Sequence, residues 1–182
     1  KDTLTGNSKI IAVVKADAYG HGAVAVAKAL EKETDMFALS SIDEVVQLRN
    51  AGVRGDMLIL GYTPSQFAKV LQNEKITQTV FSYDYIKDIY DSLDGKGDKL
   101  KVHVKLDTGM SRLGFAVQND EMRKKTVEEL FRAVNEFSDR LDFEGIFTHF
   151  AVSDEPEQDF TDIQFYRYIK TVEELEEKGV HF

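Results

Sequence analysis

The chain alternates short apolar runs with amphipathic stretches six times over, and that succession limits its fold more than any other feature. Residues 10–14, five apolar positions in a row, read as a strand buried on both faces. Residues 23–30 are alanine-rich with helical spacing. The same pair then recurs. Strands are expected at 36–39, 57–60, 77–81, 101–106 and 143–149. Helices follow them: from Ser41 or Asp43 to about Asn50 with Gly52 as terminator, and from Thr63-Pro64-Ser65 to about Gln72. Three more run over 84–93, 121–137 and 162–178, with a surface turn at 94–98. Residues 1–9 read as a polar loop, and Val180-His181-Phe182 as the opening of a seventh strand. Strict β-then-α order indicates a parallel α/β fold, either doubly wound or most of a barrel.

Composition removes several function classes. The 182 residues carry a net charge of -9 without a basic cluster, which argues against nucleic acid and anionic membrane surfaces as partners. With no cysteine, disulfides and thiolate metal sites are impossible, and a cytoplasmic setting is compatible. No histidine–carboxylate spacing reads as a metal site. No apolar run approaches the ~20 residues that cross a bilayer, and no signal peptide is visible. A complete (β/α)8 barrel needs ~250 residues. The chain also opens on Lys1-Asp2-Thr3, so it reads as a piece of something longer.

Polar groups collect where the strands end. Lys15 follows the first apolar run, Lys105 and Asp107 close the fifth strand, and Thr148 and His149 close the sixth. In α/β folds these carboxyl ends carry the chemistry. A lysine amine there, kept partly neutral by desolvation, can attack a carbonyl carbon. The loop 107–115 carries Arg112 between glycines, and its forked cation suits a carboxylate or phenolate. Each residue also has an ordinary reading: a solvated strand-end lysine, a surface ion pair, a hydrogen-bonded core histidine. Gly20-His21-Gly22-Ala23-Val24-Ala25 fits a dinucleotide loop, with Asp43 about 20 residues on, but Lys15 to Tyr19 makes the connection from the strand long. Asp107-Thr108-Gly109 matches an aspartic-protease triplet, which belongs to all-β folds.

Three stretches share a family resemblance. Residues 12–22, Ala-Val-Val-Lys-Ala-Asp-Ala-Tyr-Gly-His-Gly, resemble the pyridoxal 5'-phosphate (PLP) lysine motif of the alanine racemase family. Residues 105–114 resemble its K-x-D-T-G-M-x-R-[LI]-G motif, with Ser111 in place of a family glycine. Residues 147–155 resemble its [YF]-T-H-F-A-x-[AS]-D-E. The resemblance implies a TIM-type (β/α)8 barrel of which 1–182 holds about six βα units, with a C-terminal β domain absent. It implies Lys15 as cofactor anchor and one catalytic base, and Tyr19 on the cofactor phosphate. Arg112 would contact cofactor phenolate and substrate carboxylate, acting in catalysis, and His149 would lie behind the cofactor ring. Lys105 matches a lysine often carbamylated in the family; an ordinary lysine paired with Asp107 or Asp17 is the other reading. His21 lies within the signature, and His103 receives no role. The implied activity is PLP-dependent racemisation of a small amino acid, L-alanine to D-alanine for peptidoglycan precursors, in a cytoplasmic homodimer. A serine or serine/alanine racemase would share every motif, and a PLP-binding barrel without turnover would share the lysine. The second base is expected from a partner's C-terminal domain, so residues 1–182 alone should be inactive.

Overall fold

The computed structural model describes residues 6, 8–155, 157 and 159–182. Most of the polar loop expected over 1–9 lies outside the described residues. The chain forms two compact units, Lys1–Thr79 and Val80–Phe182.

In the first unit the elements run β1 (Ile11–Val13), a tight turn α1 (Lys15–Tyr19), α2 (Ala23–Leu30), β2 (Met36–Leu39), α3 (Ile42–Asn50) and β3 (Asp56–Ile59). A 3-10 turn (Ser65–Phe67), α4 (Ala68–Asn73) and β4 (Ile76–Val80) complete it, the last strand reaching one residue past the boundary. β1, β2, β3 and β4 pair in sequence order, all parallel. Each crossover is a helical segment, as parallel neighbours require. The reason for α3 is legible locally. Ser41 caps it by accepting from the Glu44 N–H, two acids occupy the first turn, and Val45 and Leu48 face inward. Phe37, Leu39, Leu48, Met57, Ile59, Leu71 and Ile76 are fully buried. Each such side chain contributes about 1.5–3 kcal/mol.

Within residues 1–182 β1 pairs with β2, and on it Ile11 and Val13 are 44% and 45% exposed. Pro64 does not open a helix. Its ψ of 133° is extended, and the chain turns through Ser65–Phe67, with the Phe67 N–H on the Pro64 carbonyl, before α4 begins.

The second unit holds α5 (Tyr83–Asp91), β5 (Leu100–Asp107), β6 (Phe115–Ala116), α6 (Asp120–Phe137), β7 (Leu141–Phe147) and α7 (Phe160–Glu177). β5 pairs parallel with β7 from Leu100↔Leu141 to Lys105↔Phe147, slipping register at Val102/His103. It also pairs parallel with the two-residue β6, which the alternation pattern gave no means of finding. Residues 180–182 form no strand. Val180 is buried, and its N–H closes the end of α7 on the Leu175 carbonyl. Among the described residues no helix is long and apolar enough to cross a membrane.

Candidate active-site residues and their supports

Lys15 stands just past β1, half-buried, on a backbone pinned from behind: Val14 is buried and its N–H donates to the Ala38 carbonyl at 2.9 Å. Ahead of it the chain does something sequence reasoning did not foresee. Ala16, Asp17, Ala18 and Tyr19 all have positive φ, between 51° and 55°, so four L-residues make a left-handed turn. The steric cost is roughly 1–2 kcal/mol per residue, so the surrounding bonds must impose the turn. Asp17 Oδ1 accepts from the Ala23 N–H at 2.7 Å, tying the turn to the start of α2. Glu44 Oε1 accepts from the Ala16 N–H at 2.8 Å, and Oε2 from the Ser40 N–H at 2.6 Å. Burial raises the Glu44 pKa, but the donors from Ser40, Ala16 and Ser41 outweigh it and hold the carboxyl below its ordinary value. Strain of this kind persists where neighbours over-determine it, commonly at functional sites.

The turn leaves Tyr19 64% exposed. His21 Nδ1 lies 2.9 Å from the Ala18 carbonyl. A carbonyl only accepts, so that nitrogen carries a proton. The same turn removes the dinucleotide reading, because α2 does not follow β1 through a tight glycine loop.

In the second unit, β5 presents Lys105, Asp107 and Thr108 in succession, all buried. Lys105 Nζ sits 5.2 Å from the Phe147 ring centroid, across the β5–β7 ladder. The loop after β5 is built around Asp107, whose Oδ1 accepts from the Gly109 and Ser111 N–H groups at 3.0 and 2.9 Å. Two glycines are needed there. At Gly109 (φ 142°) a Cβ would sit 2.6 Å from the Phe160 ring; at Gly114 (φ 138°) it would sit 2.6 Å from the Asp107 backbone nitrogen. Arg112 emerges between them exposed. The parallel β5–β6 pairing places this loop in an α/β frame, not the all-β frame of an aspartic protease.

Ser111, where the family resemblance has glycine, adopts φ 55°. A left-handed serine costs about 1 kcal/mol, so Ser111→Gly should stabilise the protein by roughly 0.5–1 kcal/mol. Denaturant unfolding checks this, and a loss of stability would contradict it.

His149 is exposed within residues 1–182, just beyond β7. Its loop and the arginine loop share one buried hydrogen-bond chain. Gln164, on α7 and fully buried, donates to Thr108 Oγ1 at 2.9 Å and to the His149 carbonyl at 3.1 Å. Gln164 Oε1 accepts from the Ala151 N–H at 2.8 Å. Thr108 Oγ1 and Thr148 Oγ1 lie 2.8 Å apart, and Thr148 donates to the Leu106 carbonyl at 3.0 Å. With one proton per hydroxyl the direction is fixed: Gln164 to Thr108 to Thr148 to Leu106. Arg167 Nη1 adds a bond to the Thr108 carbonyl at 2.7 Å. Gln164 and Arg167 were missed at the sequence level. The only signal was a polar residue on the inward face of an amphipathic helix. Gln164→Leu would strand buried partners in both loops, so a loss of about 2–4 kcal/mol is expected by denaturant unfolding.

His103 packs over Gly145 with Glu144 3.6 Å away. Burial lowers its pKa against the opposing pull of Glu144.

The frame and these residues define a parallel α/β protein of the kind that carries its chemistry at strand ends. A protein-family model described as alanine racemase, N-terminal domain, matches residues 1–182, and the chain belongs to that family. It is 40% identical over 174 residues to alanine racemase 2 of Caldanaerobacter subterraneus, covering 95% of this chain and 43% of that protein. The structure of alanine racemase from Clostridium difficile 630 in complex with cycloserine aligns with a TM-score of 0.88 at 41% identity, over 98% of this chain and 48% of that one. A histidine racemase from Leuconostoc mesenteroides aligns at 0.78 and 31%, over 88% of this chain and 42% of that one. The fold class is therefore that of the racemase barrel domain, with six βα units among the described residues. The chain spans less than half the length of the curated relatives it matches.

Proposed function

We propose that this chain is the cofactor-bearing part of a PLP-dependent racemase acting on a small amino acid, with alanine first. The observation that carries the proposal is that the chemically apt groups are uncommitted. Among the described residues, Lys15, Tyr19 and Arg112 have no side-chain hydrogen bond or ion pair, although the backbone around each is tightly fixed. An amine for an aldehyde, a phenol for a phosphate and a guanidinium for a phenolate or carboxylate form the donor set that PLP and an amino acid require. The residues fit the cofactor.

When bound, PLP supplies a conjugated ring that accepts the electron pair left at Cα as its proton departs. Lys15 Nζ would anchor the cofactor, and its amine would take or return the Cα proton on one face. Arg112 holds the carboxylate and sets which bond at Cα is aligned for cleavage. Tyr19 would donate to the phosphate, and His149 would meet the cofactor ring. Lys105, buried beside Phe147 on the strand that leads into the arginine loop, would hold Arg112 if its amine were carbamylated. The base for the opposite face comes from outside these residues, supplied by the partner in a homodimer. The product is D-alanine for peptidoglycan precursors, made in the cytoplasm. The names of the relatives favour alanine over serine, while the histidine racemase shows that a similar barrel can serve a different side chain.

The test is to incubate the full-length protein and PLP with alanine, serine and histidine in deuterated water and follow α-proton exchange. Fastest exchange is expected with alanine, together with inversion. Exchange no faster than with free PLP would overturn the reading.

A further inference from the structure

Glu44 holds a place that the capping of α3 does not require. In the usual S-x-x-E arrangement the acid three residues into a helix reaches back to the capping residue's own N–H. Here Ser41 is the cap and its backbone donor also favours the Glu44 carboxylate, but the close hydrogen bonds of the two oxygens run beyond it, to the N–H groups of Ser40 and Ala16 at 2.6 and 2.8 Å. Ala16 directly follows Lys15 and begins the four-residue left-handed stretch.

We propose that Glu44 is the positioning residue for Lys15: it fixes the peptide after the lysine, and with it the direction in which the amine leaves the backbone. The proposal rests on Lys15 being the cofactor anchor. The peptide joining Lys15 to Ala16 is planar and rigid, so holding its N–H fixes the plane on the carboxyl side of the Lys15 Cα. On the amino side, the Val14 N–H is held by the Ala38 carbonyl at 2.9 Å and its side chain is buried. The Cα is thus clamped between β2 and Glu44, and the Cα–Cβ bond has little freedom. A charge-assisted bond is suited to this task because the residue it holds is in an unfavourable conformation that would otherwise relax. The second oxygen, on Ser40, references the lysine turn to the end of β2, so one carboxylate sets the register of two strand ends.

Glu44→Gln tests this well, because glutamine still serves a capping box while its NH2 replaces one of the two carboxylate oxygens and, being a donor, cannot accept from the N–H group which that oxygen holds. Ser41→Ala is the complement: it weakens the cap of α3 and leaves Ala16 untouched. In the full-length protein, measure the melting temperature without cofactor, the dissociation constant for added PLP, and the lysine labelled by borohydride reduction with PLP. Glu44→Gln is expected to weaken PLP binding by about tenfold or more, the scale of one charge-assisted hydrogen bond, with Lys15 still the labelled residue. Ser41→Ala should lower the melting temperature and leave PLP affinity within about twofold of wild type, under the ~1.4 kcal/mol that a tenfold change needs. Wild-type affinity in Glu44→Gln, or an equal loss of affinity in Ser41→Ala, would overturn the positioning role. A wild-type label on another lysine would instead overturn the Lys15 assignment and the proposal with it.

Discussion

Replacing Lys15 by alanine in the full-length protein is expected to abolish racemisation, by at least about 10⁴-fold, because the proposed cofactor anchor and one of the two proposed bases go together. Folding should be nearly untouched. The side chain makes no hydrogen bond or ion pair among the described residues, and the backbone on either side is held by bonds it does not supply. A melting temperature close to wild type together with an inactive protein is therefore the signature. If Lys15→Ala retained a tenth of the activity, the lysine would not be the anchor. Added methylamine, a small external base, should restore part of the proton transfer and none of the covalent attachment.

Arg112→Lys is the second large effect. It keeps the charge and loses the fork, so turnover should fall by roughly 10²–10³-fold, on the scale of removing one oriented donor from a reacting site. The unfolding midpoint should hardly move, since Arg112 is exposed and its loop is shaped by Asp107, Gly109, Gly114 and the bond from Arg167. Arg112→Ala should be worse in activity and equally stable. Near-wild-type turnover in Arg112→Lys would mean that a point charge suffices and that the bidentate role is wrong.

The succession of elements was legible because burial writes its period into sequence. Met36–Leu39 and Met57 to Ile59 are apolar runs on strands flanked by paired neighbours, and α3 announces itself through Ser41 and its acids. The motif residues were legible for another reason: Lys15, Arg112 and His149 stand in patterns matched as text. What the sequence hid was backbone conformation and long-range polar contact. Nothing in Ala16-Asp17-Ala18-Tyr19 suggests a left-handed turn, because local propensity disfavours it and bonds from Glu44 and Asp17 impose it. Gln164 reads as one more polar helix residue until α7 is folded and its amide meets two loops that lie far apart in the chain.

The central claim is that Lys15 carries the cofactor, and one measurement addresses it without recourse to turnover. The full-length protein is loaded with PLP, reduced with borohydride, digested, and its peptides sequenced by mass spectrometry. A single pyridoxyl-modified lysine is expected, Lys15, with Lys105 unmodified. Modification at Lys105 or any other lysine, with Lys15 unlabelled, would contradict it.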